Sequence, residues 1–161
     1  MEYLFLRRKK TRSASGRQRD LLYRAASRQW EKELASRPDV RPSDGSIYKG
    51  ILYLLEVRRV FLDSSVSLKT LSAMLQTNQT YLSNAVNRCF GCNLKELLNR
   101  YRVEYAKELL RSGCCPVGEI PRRSGFGSKS PFYVAFGRVT GMTPGQYLAR
   151  ERNPLNVKED N

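Results

Sequence analysis

The sequence contains an internal repeat with a spacing of 50 residues. Each copy predicts a short helix, a tight turn, a second helix closed by glycine and the start of a third helix. This order is that of a helix-turn-helix unit, so two such units are predicted, although capped amphipathic helices can also align by chance. The shift superposes Leu82 on Phe132, Ala85 on Ala135, Val86 on Phe136, Arg88 on Arg138, Gly91 on Gly141, Asn93 on Thr143, Glu96 on Gln146 and Leu97 on Tyr147.

Apolar residues recur at helical spacing from residue 17 onward, and no stretch alternates as a strand would. This pattern predicts an all-α fold. A first helix is predicted over residues 17–36, a helix face from Ile47 to Phe61, and a long helix over 93–112 that joins the two units. Capping patterns predict further starts at Ser67, Asn78, Asn93 with Glu96, Ser130 with Pro131 at the first helical position, and Thr143 with Gln146.

Pro121 lies inside a short helix predicted over residues 117–124, which ends at Gly125. Proline removes one backbone hydrogen bond and clashes with the carbonyl four residues earlier, unless it falls in the first turn. We therefore expect this helix either to kink or to begin near Ile120.

Three regions are predicted along the chain. Residues 1–46 form a basic amino-terminal segment, with a disordered start around the cationic run 7–12, then the first helix and a linker rich in Pro, Gly and Asp at 38–46. Residues 47–152 form the double helix-turn-helix domain. Residues 153–161 form a polar tail.

The balance of charged residues limits the classes of function that fit this protein. The 161 residues include 29 Lys and Arg, 15 Asp and Glu and no His, a formal net charge of +14. Without histidine, the usual catalytic triads and mixed Cys/His zinc sites are excluded. Such an excess of cations favours a polyanionic partner, with nucleic acid first and an anionic membrane surface as the alternative. The carboxylates are too scattered for a nuclease-like metal site, so no enzyme is predicted.

Four cysteines raise the question of a metal site: Cys89, Cys92, Cys114 and Cys115. The first pair has the C-x-x-C spacing of a zinc ligand pair, but adjacent Cys114 and Cys115 cannot easily both bind one tetrahedral ion. Free thiols are the preferred interpretation, and we predict no metal and no cofactor.

Part of the sequence resembles the AraC/XylS family of bacterial transcription regulators, over about residues 48–150. The resemblance implies a homeodomain-like all-α domain without catalysis, which inserts two recognition helices into successive major grooves of double-stranded DNA. It rests on Asn78-Gln79-Thr80-Tyr81-Leu82-Ser83, Phe90-Gly91, Asn99-Arg100-Tyr101-Arg102, Ala106-Lys107-Glu108-Leu109-Leu110, Ile120, Gly125-Phe126, Phe132, Phe136, Gly141-Met142-Thr143-Pro144 and Tyr147.

The family pattern assigns roles to individual residues. In the first recognition helix, the predicted base contacts are Gln79, Thr80, Ser83 and Asn84, which carry most of the expected specificity. In the second, the matching residues Ser130, Pro131 and Val134 offer one hydroxyl between them, so direct readout should be poor. Predicted phosphate contacts are Arg88, Lys129, Arg122, Arg123 and Arg138.

The resemblance also implies partners and a setting. RNA polymerase is implied as a partner, together with a homodimer and an upstream sensor or membrane portion. The sequence around Thr77 is similar to the sequences of a subgroup in which this domain is the cytoplasmic output domain of a membrane sensor. The expected location is the cytoplasm, in association with the nucleoid. The alternative is that the chain is the carboxy-terminal, cytoplasmic part of a membrane-anchored regulator, with the run 7–12 just inside the bilayer.

Overall fold

The computed structural model describes residues 15–36, 38, 41 and 44–152. Over these residues it is all-α, and the described chain divides into two compact units. The first comprises the described residues up to Phe61 together with Ser65–Tyr101, and the second comprises Leu62–Ser64 and the described residues from Arg102 onward. The predicted fold class is confirmed. The basic run 7–12 and the predicted tail 153–161 lie outside the described residues.

In its described residues, the first unit contains four α-helices and the beginning of a fifth. Its core is apolar and centred on fully buried side chains such as Tyr48, Phe61, Leu82 and Tyr101. Tyr101 also donates a hydrogen bond from its hydroxyl to Glu56 Oε1 at 2.6 Å, which gives that buried carboxylate a polar partner. The helices are α1 Gly16–Ala35, α2 Asp44–Leu52, α3 Leu68–Met74, α4 Gln79–Phe90 and α5 Leu94–Ser112.

Helix α1 is part of the first unit and packs against the other helices of that unit. The Tyr23 hydroxyl donates to the Lys49 carbonyl at 2.8 Å, and the Tyr23 ring meets the edge of Tyr53 with 5.5 Å between centroids. Helix α2 begins at Asp44, inside the stretch that composition marks as a linker. The described part of the amino-terminal segment is therefore continuous with the packing of the first unit.

The helix face predicted from Ile47 to Phe61 is interrupted. Residues Tyr53–Val57 form a π-helical turn, in which the Arg58 amide reaches back to the Tyr53 carbonyl at 3.1 Å. Arg59 then adopts a left-handed backbone with φ of 53°, which ends the helix before the 3-10 turn Val60–Leu62. The expectation of one continuous helix face from Ile47 to Phe61 is wrong for this reason.

Up to residue 152, where its described part ends, the second unit contains the end of α5 and three further α-helices. These are α6 Ile120–Arg123, α7 Lys129–Thr140 and α8 Pro144–Arg152. Phe132 and Phe136 lie at the centre of its core, with Phe126 and Tyr147 against them. Burial raises the pKa of Tyr147 to about 12. The guanidinium of Arg102 lies 5.7 Å from the Phe126 ring centre and donates to the Asp63 carbonyl at 3.0 Å.

Pro121 is accommodated by a late helix start. Residues Val117–Glu119 form a 3-10 turn and α6 begins at Ile120, so Pro121 stands at the second helical position. Its missing amide is one that the first turn does not use. Of the two alternatives, a kink or a start near Ile120, the structure has the start at Ile120. Gly125, with φ of 88°, closes the helix as expected, and the Phe126 amide returns to the Pro121 carbonyl at 2.9 Å.

The internal repeat is reproduced in the helix boundaries. Helices α4 and α7 each have 12 residues, and their first residues, Gln79 and Lys129, are 50 positions apart. Both helices end at a left-handed glycine, Gly91 with φ of 67° and Gly141 with φ of 73°. The Asn93 side chain caps the next helix in one copy, and Thr143 and Gln146 form the predicted capping box in the other.

Candidate nucleic-acid interface

Helix α4 has one buried face and one polar, exposed face. Asn78 caps it, accepting from the Tyr81 amide at 2.7 Å, as the sequence predicts. Leu82, Ala85 and Val86 are buried in the first unit. On the other face, the four residues predicted to contact bases are either exposed or half-buried: Gln79, Thr80, Ser83 and Asn84.

Helix α7 begins two residues earlier than the Ser130-Pro131 pattern suggests. Its N-cap is Ser128, with an extended backbone, and Pro131 stands at the third helical position. Proline is tolerated there because the amides of the first turn have no partner within the helix. The predicted cap at Ser130 is therefore wrong. The 50-residue shift maps Asn78 onto Ser128 and would have found the correct residue.

The exposed face of α7 is more apolar than that of α4. Ser130 and Pro131 are exposed at its amino-terminal end, and Val134 is 64% exposed. Tyr133, which sequence reasoning missed, is 50% exposed beside them. The repeat superposes Tyr133 on Ser83, a predicted base contact, so the signal for it was already in the sequence.

Arg88 makes an ion pair with Asp44 inside the first unit. Its Nε and Nη2 atoms donate to the two carboxylate oxygens at 2.8 and 2.9 Å. The Asp44 side chain is fully buried, and that of Arg88 is 24% exposed. The hydrogen bonds from Arg88 lower the pKa of Asp44, while those to Asp44 raise the pKa of Arg88. Arg88 therefore has a structural role in the first unit, whereas the sequence predicts only a phosphate contact for it.

The other cations predicted to contact phosphates lie exposed on the second unit. Arg122 and Arg123 are on α6, and Lys129 and Arg138 are on α7. Arg123 is paired with Glu119 at 2.9 Å, a contact that raises the pKa of Arg123. Because both partners of that pair are about half exposed, it holds the guanidinium only weakly.

All four cysteines are free thiols, with Cys89 and Cys92 buried, Cys115 half-buried and Cys114 exposed. Within residues 15–36, 38, 41 and 44–152, no group of three or more His, Cys, Asp or Glu residues is placed to hold a metal ion. None of the described helices is long and apolar enough to cross a bilayer.

Comparison with known proteins gives matches over the same region. Residues 71–150 match a family described as a helix-turn-helix domain. A putative AraC-like transcription regulator of Streptomyces antibioticus is 46% identical over 52 residues, which are 32% of this chain and 17% of that protein. The HTH-type transcriptional activator RhaR of Salmonella dublin is 30% identical over 86 residues, 53% of this chain and 30% of that protein.

A solved structure has the same fold. It is the C-terminal domain of AraT, a response regulator from Geobacillus stearothermophilus, with a TM-score of 0.59 and 26% identity over 76% of this chain and 93% of that one. Residues 71–150 therefore form a helix-turn-helix domain similar to those of AraC-type transcription regulators. AraC-type proteins are transcription regulators and not an enzyme class, so the prediction that this chain is not an enzyme is confirmed. This AraC-type chain spans less than a third of the length of the two curated relatives above.

Proposed function

We propose that this chain is the DNA-binding part of a transcription regulator and that it inserts α4 and α7 into successive major grooves of duplex DNA. The observation that carries the proposal is the exposed polar face at the start of α4, in a chain with a formal net charge of +14. The major groove admits an α-helix, and its base edges distinguish all four base pairs.

Specificity is assigned mainly to α4. Asn84 and Gln79 carry amides that pair with adenine in a bidentate way, and Thr80 and Ser83 offer hydroxyls to base edges. In α7, Ser130 carries the one hydroxyl among the matched positions. Pro131 and Val134 offer apolar surface for contact with the methyl group of thymine. We add Tyr133 to the DNA-facing set because of its exposure and its place in the repeat.

Phosphate contacts are assigned to the exposed cations of the second unit, Lys129, Arg122, Arg123 and Arg138. Arg88 is left out of this set because Asp44 already occupies its guanidinium. Contacts to phosphates fix the register of a protein on DNA without reading sequence. The proposed division is therefore base reading from the first unit and anchoring from the second.

Partners follow from the family and from the proteins it resembles. The name of RhaR as an activator, and that of AraT as a response regulator, support activation through RNA polymerase under the control of an upstream sensor. A homodimer is the further partner proposed, because two copies double the number of grooves read. The proposed location is the cytoplasm, at the nucleoid.

Binding to duplex DNA should weaken steeply with salt. A protein that neutralises several phosphates releases condensed counterions, so its affinity should fall on the order of tenfold or more between about 50 and 200 mM salt. The measurement is fluorescence anisotropy of the full chain on a duplex chosen by selection from random sequences, with anionic lipid vesicles as the competing polyanion. Affinity for duplex that is independent of salt, or a preference for vesicles, would contradict the proposal.

The two recognition helices should contribute unequally to sequence preference. Asn84→Ala should cost roughly 1–3 kcal/mol of binding free energy on the preferred site and relax one base position. Val134→Ala, at the equivalent place in α7, should leave the selected sequence nearly unchanged. Site selection with both variants tests the assignment, and a larger change of preference from Val134→Ala would reverse it.

A further inference from the structure

Two adjacent cysteines lie in the turn that follows α5. Gly113, with φ of 60°, ends that helix, and residues 114–116 lead into the 3-10 turn before α6. Cys114 is exposed, whereas Cys115 is half-buried and packs against the core of the second unit. Because the two residues are adjacent in one turn and neither is fully buried, both sulfurs belong to one small region of the surface.

An ordinary disulfide does not suit this pair. Neighbouring Cα atoms are about 3.8 Å apart across a trans peptide bond, below the roughly 4.4–6.8 Å that disulfides span. A direct sulfur–sulfur bond would therefore be strained. A bridge of the form sulfur–atom–sulfur is longer and closes a less strained ring.

A structural zinc ion does not suit the pair either. Structural zinc takes four ligands, and this pair supplies two. Among the residues that the structure describes, no third His, Cys, Asp or Glu joins these two thiols in a metal-binding group. A suitable ligand has one thiophilic atom that bonds to both sulfurs and already carries another substituent of its own.

We infer that Cys114 and Cys115 form a dithiol site for monosubstituted trivalent arsenicals. An arsenoxide, R–As=O, would form two arsenic–sulfur bonds with the two thiols. The arsenic–oxygen bond breaks, and the two thiol protons leave with the oxygen as one molecule of water. Arsenic and sulfur keep their oxidation states, so the step needs no oxidant or reductant.

The surroundings of the two thiols determine which of them reacts first. The Ser112 side chain hydrogen bonds to Cys114 and lowers its pKa, which favours the thiolate, the form that attacks. Burial raises the pKa of Cys115, which therefore keeps its proton until the second bond forms. Cys114 attacks first and Cys115 closes the ring.

The experiment uses phenylarsine oxide and the full reduced chain, followed by mass spectrometry of the intact protein. We expect a one-to-one adduct with the mass of phenylarsine oxide less one water, stable to excess monothiol and removed by a dithiol such as 2,3-dimercaptopropanol. Cys114→Ser should weaken binding on the order of 100-fold, because the second thiol then no longer binds at high effective concentration. Cys114 is exposed, so this variant should fold.

The buried cysteines provide the matched control. Alkylation before and after the arsenical should label Cys114 only in the free protein, while Cys89 and Cys92 stay protected by burial in both states. An adduct of equal affinity in Cys114→Ser, or no stable adduct in the unmodified chain, would overturn the inference. Failure here would leave duplex binding untouched, so the two proposals are tested separately.

Discussion

Replacing Arg88 by methionine should lower the Tm of this protein by roughly 10 °C at neutral pH. Arg88 holds the fully buried carboxylate of Asp44 through two hydrogen bonds of 2.8 and 2.9 Å. The Arg41 amide also donates to that carboxylate at 3.2 Å. Removing the guanidinium leaves a buried charge without its counter-ion, which destabilises more than the intact pair stabilises.

Two controls separate this effect from a general loss of arginine. Arg138→Met changes the equivalent residue of the repeat, which is exposed, and should shift the Tm little. The double variant Asp44→Asn with Arg88→Met removes both charges and should recover a large part of the loss. If the double variant is no more stable than Arg88→Met, the unpaired charge is not the cause.

The pH dependence of this variant has a defined sign. In the intact protein the pKa of Asp44 is lowered, so the pair contributes stability above the ordinary aspartate pKa of about 3.9 and loses it as pH falls through the lower folded value. In Arg88→Met, burial without a partner raises that pKa, and protonation relieves the penalty. The Tm difference between the two proteins should therefore shrink from pH 7 toward pH 4, as thermal melts by circular dichroism would measure.

Phe136→Ala should destabilise the second unit by about 3–5 kcal/mol. Phe136 is fully buried, and its ring centre lies 5.6 Å from that of Phe132 and 5.7 Å from that of Tyr147. Truncation would remove these contacts and leave a cavity in the core that supports α7. Urea denaturation followed by circular dichroism measures the loss.

The matched control is Tyr133→Ala, which truncates an aromatic side chain on the exposed face of the same helix. We expect it to lower the free energy of unfolding by about 1 kcal/mol, well below the loss for Phe136→Ala, since half of the side chain is already in water and the ring makes one edge contact with Phe132. The same variant should weaken duplex binding if Tyr133 faces DNA as proposed. Equal destabilisation by the two substitutions would contradict the assignment of inner and outer faces.

Features that depend on neighbouring residues were predictable. The caps at Ser67, Asn78 and Thr143 are formed by side chains that reach amides three residues ahead. The left-handed glycines Gly91 and Gly141 follow from the same local rule, because glycine takes that backbone without a steric penalty. The late start of α6 was one of the two alternatives that Pro121 left open, because proline is tolerated in the first turn of a helix.

Features that depend on distant residues were not predictable. Asp44 stands in a stretch whose Pro, Gly and Asp content is typical of a linker, yet it is fully buried against Arg88, 44 residues away. The start of α7 was misplaced for a different reason, because the Ser130-Pro131 pattern was preferred to Ser128, which the 50-residue shift identifies as the cap.

The sequence by itself determined the repeat, the all-α class, the family and the polar face of α4, because helix periodicity and capping act within about four residues. The tertiary structure decided which cations remain available to a partner, how deeply each thiol is buried and which aromatic of α7 faces solvent. These outcomes depend on what packs against each side chain from another part of the chain, which local spacing does not encode. Arg88 and Arg138 are equivalent in the repeat, and only the packing of α2 against α4 makes one structural and leaves the other exposed.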